Sequence, residues 1–108
     1  MSSTTVTRGN SHATFYIGPS LTPSNVAASV TATQTFSVPG LLTSDYVLVQ
    51  GVVGSQSANI VVAEADVLTS GVLTIQFGNT GAVSTAPAAG VYVIQVTRVE
   101  GPLPANAA

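Results

Sequence analysis

Alternation of side chains with a period of two is the feature that most constrains how this chain can fold. In residues 30–38, VTATQTFSV, the apolar side chains and Gln34 fall on one face, and three threonines and a serine fall on the other. β-Branched residues in this period are typical of a strand with one buried face. Pro39 and Gly40 interrupt the pattern, because this pair favours a turn. The sequence therefore predicts a half-buried strand that ends in a turn.

The next segment, residues 46–53, is apolar on both faces. Its sequence, YVLVQGVV, places Tyr46, Leu48 and Val52 on one face and the three other valines on the opposite face. A strand that is apolar on both faces is expected to be covered on both sides, by the core and by a second surface. Gly51 indicates a β-bulge within this strand.

Four further segments complete a set of six predicted strands: residues 13–18, 60–67, 72–77 and 91–100. Residues 68–71, LTSG, predict a hairpin turn, and residues 78–90 predict a long loop. Two prolines exclude regular ladder pairing in residues 18–25, and residues 25–32 are the only place for a short turn of helix.

Six strands at this spacing predict an all-β fold, either a compact antiparallel β-sandwich or a small jelly-roll-like barrel. Residues 13–100 form its single domain. Residues 1–12 are expected to be a flexible N-terminal arm, without the apolar region of a signal peptide, and residues 101–108 a tail. The predicted core consists of Phe15, Phe36, Val38, Leu48, Val61, Ile75, Phe77, Tyr92, Ile94 and Val96.

Charge is scarce in this chain. It has six charged residues, Arg8, Asp45, Glu64, Asp66, Arg98 and Glu100, where a typical domain of this length has about 27. Two arginines cannot neutralise a row of phosphates, so no nucleic-acid partner is expected. The apolar segments are too short and interrupted to span a membrane. Weak electrostatic repulsion between copies favours a homo-oligomer, and we expect a trimer.

The sequence has few residues that could catalyse a reaction. The one histidine, His12, lies in the polar arm, where nothing holds it against a serine and a buried acid. Glu64 and Asp66 share a strand face, which indicates either a cation site or, more simply, an exposed acidic patch that discourages edge pairing. Without cysteine there is no disulfide, thiolate metal site or thiol nucleophile. We expect no enzymatic activity, no catalytic residue, no metal and no cofactor.

Three other polar segments can be explained without a functional site. Asp45 precedes a strand in TSDY, where an Asx-type turn is expected. Arg98 and Glu100 share a strand face, so they form either a solvated pair or a contact across an interface. The GNTG segment at Gly78 lacks the lysine and the helix that a phosphate-binding loop requires.

Residues 30–98 carry three sequence motifs. They are a T-F-x-V-x-G-L turn followed by an Asp, then L-T-I-x-F-x-N-x-T, which here reads LTIQFGNT with no residue between Asn79 and Thr80, and finally P-x-x-G-x-Y-x-V-x-V-x-R, with Ile94 at the first of its two valines. The corresponding residues are Thr35, Phe36, Val38, Gly40, Leu41, Asp45, Leu73, Thr74, Ile75, Phe77, Asn79, Thr80, Pro87, Gly90, Tyr92, Ile94, Val96 and Arg98. This pattern resembles that of small capsid decoration (cement) proteins of tailed bacteriophages.

The resemblance implies a virion structural protein that binds the outer capsid surface and stabilises the head through oligomeric contacts with the major capsid protein. Similar β-sandwiches occur in phage tails and fibres. The alternative reading is therefore a tail or fibre module that binds a receptor or a carbohydrate.

Overall fold

The computed structural model describes residues 12–99, which contain seven strands and no helix. The strands are β1 (His12–Ile17), β2 (Ser20–Leu21), β3 (Thr31–Ser37), β4 (Asp45–Val52), β5 (Ile60–Thr69), β6 (Val72–Asn79) and β7 (Gly90–Val99). All pairings between them are antiparallel, and they form two sheets. The prediction of an all-β antiparallel sandwich is confirmed.

Each sheet has one central strand. In the first sheet, β7 pairs with β1 and β2 along one side and with β4 along the other. In the second sheet, β6 lies between β3 and β5. Since β6 and β7 are paired on both sides, they supply the centre of the core.

The core forms where these two central strands face each other. Leu73, Ile75 and Phe77 on β6 and Tyr92, Ile94 and Val96 on β7 are all fully buried. Each set occupies every second position of its strand, as a strand with one core face requires. The rings of Phe77 and Tyr92 meet edge to face, with centroids 6.4 Å apart and planes at 77°, which is a favoured aromatic geometry.

Two members of the predicted core are wrong. Leu48 is 59% exposed and Val61 is 49% exposed. Leu48 lies opposite Gln95, on the outer face of the first sheet, and Val61 lies opposite Gly78, on the outer face of the second. Their neighbours take the inward positions. The core also includes six residues outside the predicted set: Leu21, Val26, Leu41, Ile60, Val67 and Leu73.

The predicted bulge in β4 is confirmed, and it corrects the assignment of faces in this strand. Val49 lies opposite Ile94, but the next paired residue is Gly51, opposite Val93. The extra residue shifts the alternation, so Val52 joins Val47 and Val49 against the core. Val53, predicted to share their face, is exposed.

The segment before β3 differs from its prediction in two ways. Ser20 and Leu21 do pair with β7, and the amide of Tyr92 donates a 2.9 Å hydrogen bond to the carbonyl of Pro19. Proline lacks only the donor, so its carbonyl still joins the ladder. Residues 25–32 form no helix; instead Val26, fully buried, makes an isolated bridge to Thr85.

The β5–β6 hairpin is confirmed, with longer strands and a shorter turn than predicted. Thr69 pairs with Val72, which leaves Ser70 and Gly71 as the turn. Gly71 has a φ of 77°, a left-handed conformation that favours glycine.

The loop after β6 is held by Asn79, which is 3% exposed. Its Nδ2 donates to the carbonyls of Val26 (3.0 Å) and Val83 (2.9 Å), and its Oδ1 accepts from the amide of Gly81 (2.9 Å).

Both termini extend beyond the described residues. The predicted arm lies outside them except for His12, the first residue of β1, which pairs with Val99. Glu100 and the predicted tail also lie outside.

Candidate interaction surface

The outer face of the first sheet carries large exposed side chains in register. Tyr16, Gln95 and Leu48 lie directly opposite one another on β1, β7 and β4, and so do Thr14, Thr97 and Tyr46. Neighbouring strands are about 4.8 Å apart, so each row spans about 10 Å. We call this surface the apolar face; it consists of Thr14, Tyr16, Tyr46, Leu48, Val91, Val93, Gln95 and Thr97.

Exposure of these side chains follows from the alternation of the strands. Tyr92, Ile94 and Val96 point into the core, so the residues between them on β7 must point outward. On the flanking strands, Tyr16 is 61% exposed and Tyr46 is 49% exposed. The sequence prediction that a second surface covers this side of β4 stays a prediction, because these side chains are exposed in the single chain.

No residue of the apolar face is charged. Its composition of aromatic, aliphatic and uncharged polar side chains matches the centre of protein interfaces, where tyrosine is enriched and Lys, Glu and Asp are depleted. Tyrosine offers a large contact area for little loss of side-chain entropy. This face can therefore bind a complementary protein surface without desolvating an unpaired charge.

The outer face of the second sheet also exposes Val61 and Leu68, but it is more polar and carries charge. It presents Thr31, Thr33, Thr35 and Ser37 from β3, with Glu64 and Asp66 from β5. The two carboxylates do share a face, as predicted, beside Gln76 and Thr74. Oδ1 of Asp66 is buried and receives no hydrogen bond from the described residues. Within residues 12–99, no group of three or more His, Asp or Glu is placed to hold a metal ion.

Asp45 and Arg98 meet at one end of the sandwich, although 53 positions separate them. Arg98 donates from Nε to Oδ1 (2.8 Å) and from Nη2 to Oδ2 (2.7 Å) of Asp45. The Asp45 side chain is fully buried, while that of Arg98 is 36% exposed. The hydrogen bond from Arg98 lowers the pKa of the Asp45 carboxyl, against the effect of burial. Asp45 thus stays ionised and joins β4 to β7.

Arg98 has two more contacts that extend this junction. Its Nη2 donates to the carbonyl of Gly40 (2.9 Å), and its guanidinium lies 5.3 Å from the centroid of the Phe15 ring, a cation–π contact. Asp45 also accepts a hydrogen bond from the amide of Leu42 (2.9 Å). The predicted turn role of Asp45 is therefore correct in kind, although the bond runs back to Leu42 rather than forward as in an Asx turn.

A second polar network closes the opposite end of the sandwich. The hydroxyl of Tyr92 donates to the carbonyl of Ala88 (2.6 Å) and accepts from Nε2 of Gln56 (3.2 Å). Burial raises the pKa of Tyr92. Gln56 Oε1 in turn accepts from the amide of Ala88 (2.6 Å). Sequence reasoning missed Gln56, because a single glutamine in a polar loop carries no pattern.

The remaining sequence candidates are not brought together. Arg8 and Glu100 lie outside the described residues. Asn79 of the GNTG segment holds the loop after β6 through its hydrogen bond to the carbonyl of Val83. No helix that could cross a lipid bilayer occurs within residues 12–99. The chain matches no protein-family model, no curated protein and no solved structure.

Proposed function

We propose that this protein is a capsid decoration (cement) protein of a tailed bacteriophage that binds the outer surface of the capsid and stabilises the head. The observation that carries the proposal is the apolar face. A three-strand surface with exposed Tyr16, Tyr46 and Leu48 and no charge is suited to a permanent protein contact. The partner we assign to it is the major capsid protein.

In the proposed mechanism, the protein holds neighbouring capsid subunits together by binding to them. Burying one large apolar side chain contributes about 1.5–3 kcal/mol, whereas association of one copy costs about 4–15 kcal/mol in lost translational and rotational freedom. An oligomer that binds through several faces at once pays this cost only once, so weak contacts combine into stable attachment. Copies that bridge neighbouring capsid subunits then resist their separation.

The positions of the motif residues support the resemblance at the level of the fold. Asp45 and Arg98, which stand in separate elements of the pattern, form the ion pair at one end of the sandwich. Asn79 fastens the loop after β6. Phe77 and Tyr92 meet in the core. The pattern therefore consists of residues that determine this sandwich.

The second candidate is a tail or fibre module that binds a carbohydrate. Tyr16 and Tyr46 are exposed on the same face, and tyrosine rings can stack on sugars. They lie exposed on the outer face of a sheet, whereas small-molecule sites are usually concave, which favours a protein partner. Immunogold labelling of virions distinguishes the two: the proposal expects label on heads, and label confined to tails would overturn it.

The contact itself is tested with two matched leucine variants. Leu48 lies on the apolar face, and Leu68 is 72% exposed on β5 of the second sheet. Leu48→Lys places a charge in the proposed interface and should reduce binding to undecorated heads at least tenfold. Leu68→Lys should bind as the wild type does, and both should unfold at the wild-type temperature. Equal binding by the two variants would contradict the assignment of the face.

A further inference from the structure

The two sheets have four edges, and three of them carry features that block pairing with another chain. The edge formed by β1 and β2 is interrupted at Gly18 and Pro19. The ladder of β4 contains a bulge, and that of β5 contains two irregularities and two acidic residues. Breaks, bulges and charges are the usual protection of sheet edges.

The fourth edge, formed by β3, has none of these features. Its seven residues, TATQTFS, include no proline, no glycine and no charge, and its register with β6 is continuous. The β3–β6 ladder bonds run through the even-numbered residues, because Asn79 donates to the carbonyl of Val30 and Val38 donates to that of Gly71. The peptide groups of Thr31, Thr33, Thr35 and Ser37 therefore point away from β6.

Those peptide groups have no partner within residues 12–99, since no other described strand lies beyond β3. The polar side chain next to this edge does not compete for these peptide groups. Gln34, the polar residue on the inner face of β3, has its amide satisfied by Ser24: Nε2 donates to the Ser24 carbonyl and Oε1 accepts from the Ser24 amide, both at 2.8 Å.

We propose that β3 pairs antiparallel with β3 of a second copy of this chain, about a two-fold axis at Gln34. In this register Thr33 faces Thr35 of the second copy and Thr31 faces its Ser37. All four free peptide groups on each strand then exchange hydrogen bonds in narrow pairs. Hydroxyl side chains meet hydroxyl side chains on the outer face, a favourable cross-strand pairing.

Self-pairing suits this edge better than a foreign strand because the edge is symmetric about its centre. Reading outward from Gln34, Thr33 and Thr35 are identical, and Thr31 and Ser37 both carry a hydroxyl. On the inner face Ala32 would meet Phe36, a small residue against a large one. The two three-stranded sheets then become one six-stranded sheet. The product is a dimer, in place of the trimer expected from the sequence.

The dimer has a consequence that rests on the proposed function. The two-fold axis of this pairing is perpendicular to the second sheet. The second sheets of the two copies therefore present their outer faces on the same side of the dimer, and the two apolar faces lie together on the other side. Two attachment surfaces then point toward one capsid, and each dimer binds bivalently.

The register is tested by two double variants that differ in one side chain. In Thr33→Lys/Thr35→Lys, lysine faces lysine of the second copy, and the protein should change from about twice 10.8 kDa to a 10.8 kDa monomer in light scattering. In Thr33→Lys/Thr35→Glu, lysine faces glutamate and the dimer should return. Circular dichroism and thermal unfolding confirm that both variants fold.

Several results would overturn the pairing. These are a wild-type monomer at micromolar concentration, the same mass for the two double variants, or a dimer that only Leu48→Lys dissociates. Deletion of residues 2–10 should leave the dimer intact; loss of the dimer on deletion would assign the edge to an arm strand instead. These measurements use no capsid, so failure of the proposed function does not affect them.

Discussion

At the scale of single residues, the sandwich depends on a few polar side chains that each join distant parts of the chain. Asp45 and Arg98 link β4, β7 and the turn at Gly40. Asn79 and Gln34 bond backbone groups of residues 24–26, which run from the first sheet toward the second. Within residues 12–99 this pair is the one salt bridge, with a fully buried carboxylate and a partly exposed guanidinium.

The Asp45–Arg98 pair predicts an acid-sensitive component of stability. The folded pKa of Asp45 lies below its ordinary value of 3.8. Its contribution is therefore complete above about pH 4 and is lost as the pH falls through the folded pKa. Asp45→Asn removes the charge, and we expect it to lower the free energy of unfolding at neutral pH by about 1–3 kcal/mol.

Urea unfolding of both proteins between neutral pH and about pH 3 checks this expectation. The difference between wild type and Asp45→Asn should shrink on acidification, because the Asp45 carboxyl of the unfolded wild-type chain takes up a proton before the folded one does. Parallel loss of stability in the two proteins would show that the pair does not contribute in this way.

At the scale of elements, the type and order of the strands could be predicted from the sequence, whereas the inward face of several strands could not. Residues 30–38 have polar and apolar residues on separate faces, so their prediction is correct in the structure from Thr31 onward; Val30, just before β3, is exposed. Residues 46–53 and 60–67 offer apolar residues on both faces. Nothing local decides that Leu48 and Val61 point outward; the bulges and the pairing register decide it.

The β5–β6 turn makes a prediction about glycine. Gly71→Ala forces a residue with a Cβ atom into a left-handed conformation, which costs about 1–2 kcal/mol. No heavy atom lies within 4 Å of the added Cβ, so backbone strain alone should account for the loss. Gly71→Asn is the matched control, since asparagine tolerates this conformation better. Chemical denaturation should rank the proteins as Gly, Asn, Ala in decreasing stability, and an equal loss for Ala and Asn would contradict the argument.

At the scale of the whole molecule, the two outer faces differ. The exposed carboxylate of Glu64 and the neighbouring Asp66 lie on the second sheet, and the apolar face lies on the first. This surface could be predicted only in part, as the expectation that β4 is covered twice. Its rows also need Tyr16 from β1 and Gln95 from β7. Tyr16 pairs with Gln95 across 79 positions of sequence, and Gln95 pairs with Leu48 across 47.

Attachment through an uncharged face should depend little on salt. Raising the ionic strength from about 0.05 to 0.5 M screens exposed charges strongly, yet it should leave the capsid occupancy of this protein unchanged or slightly higher. Sedimentation of decorated heads at each salt concentration gives the occupancy. Release of folded protein at high salt would mean that charged groups hold it to the head.

The bulge in β4 has a consequence for the gene as well as for the protein. Val49 pairs with Ile94 and Gly51 with Val93, so Gln50 is the surplus residue. An in-frame deletion of codon 50 would leave all the remaining side chains of β4 on their present faces and yield a regular ladder. Deletion of codon 49 would instead turn Gln50 toward the core. Length variants that arise in this strand should therefore be tolerated at one codon and eliminated at its neighbour.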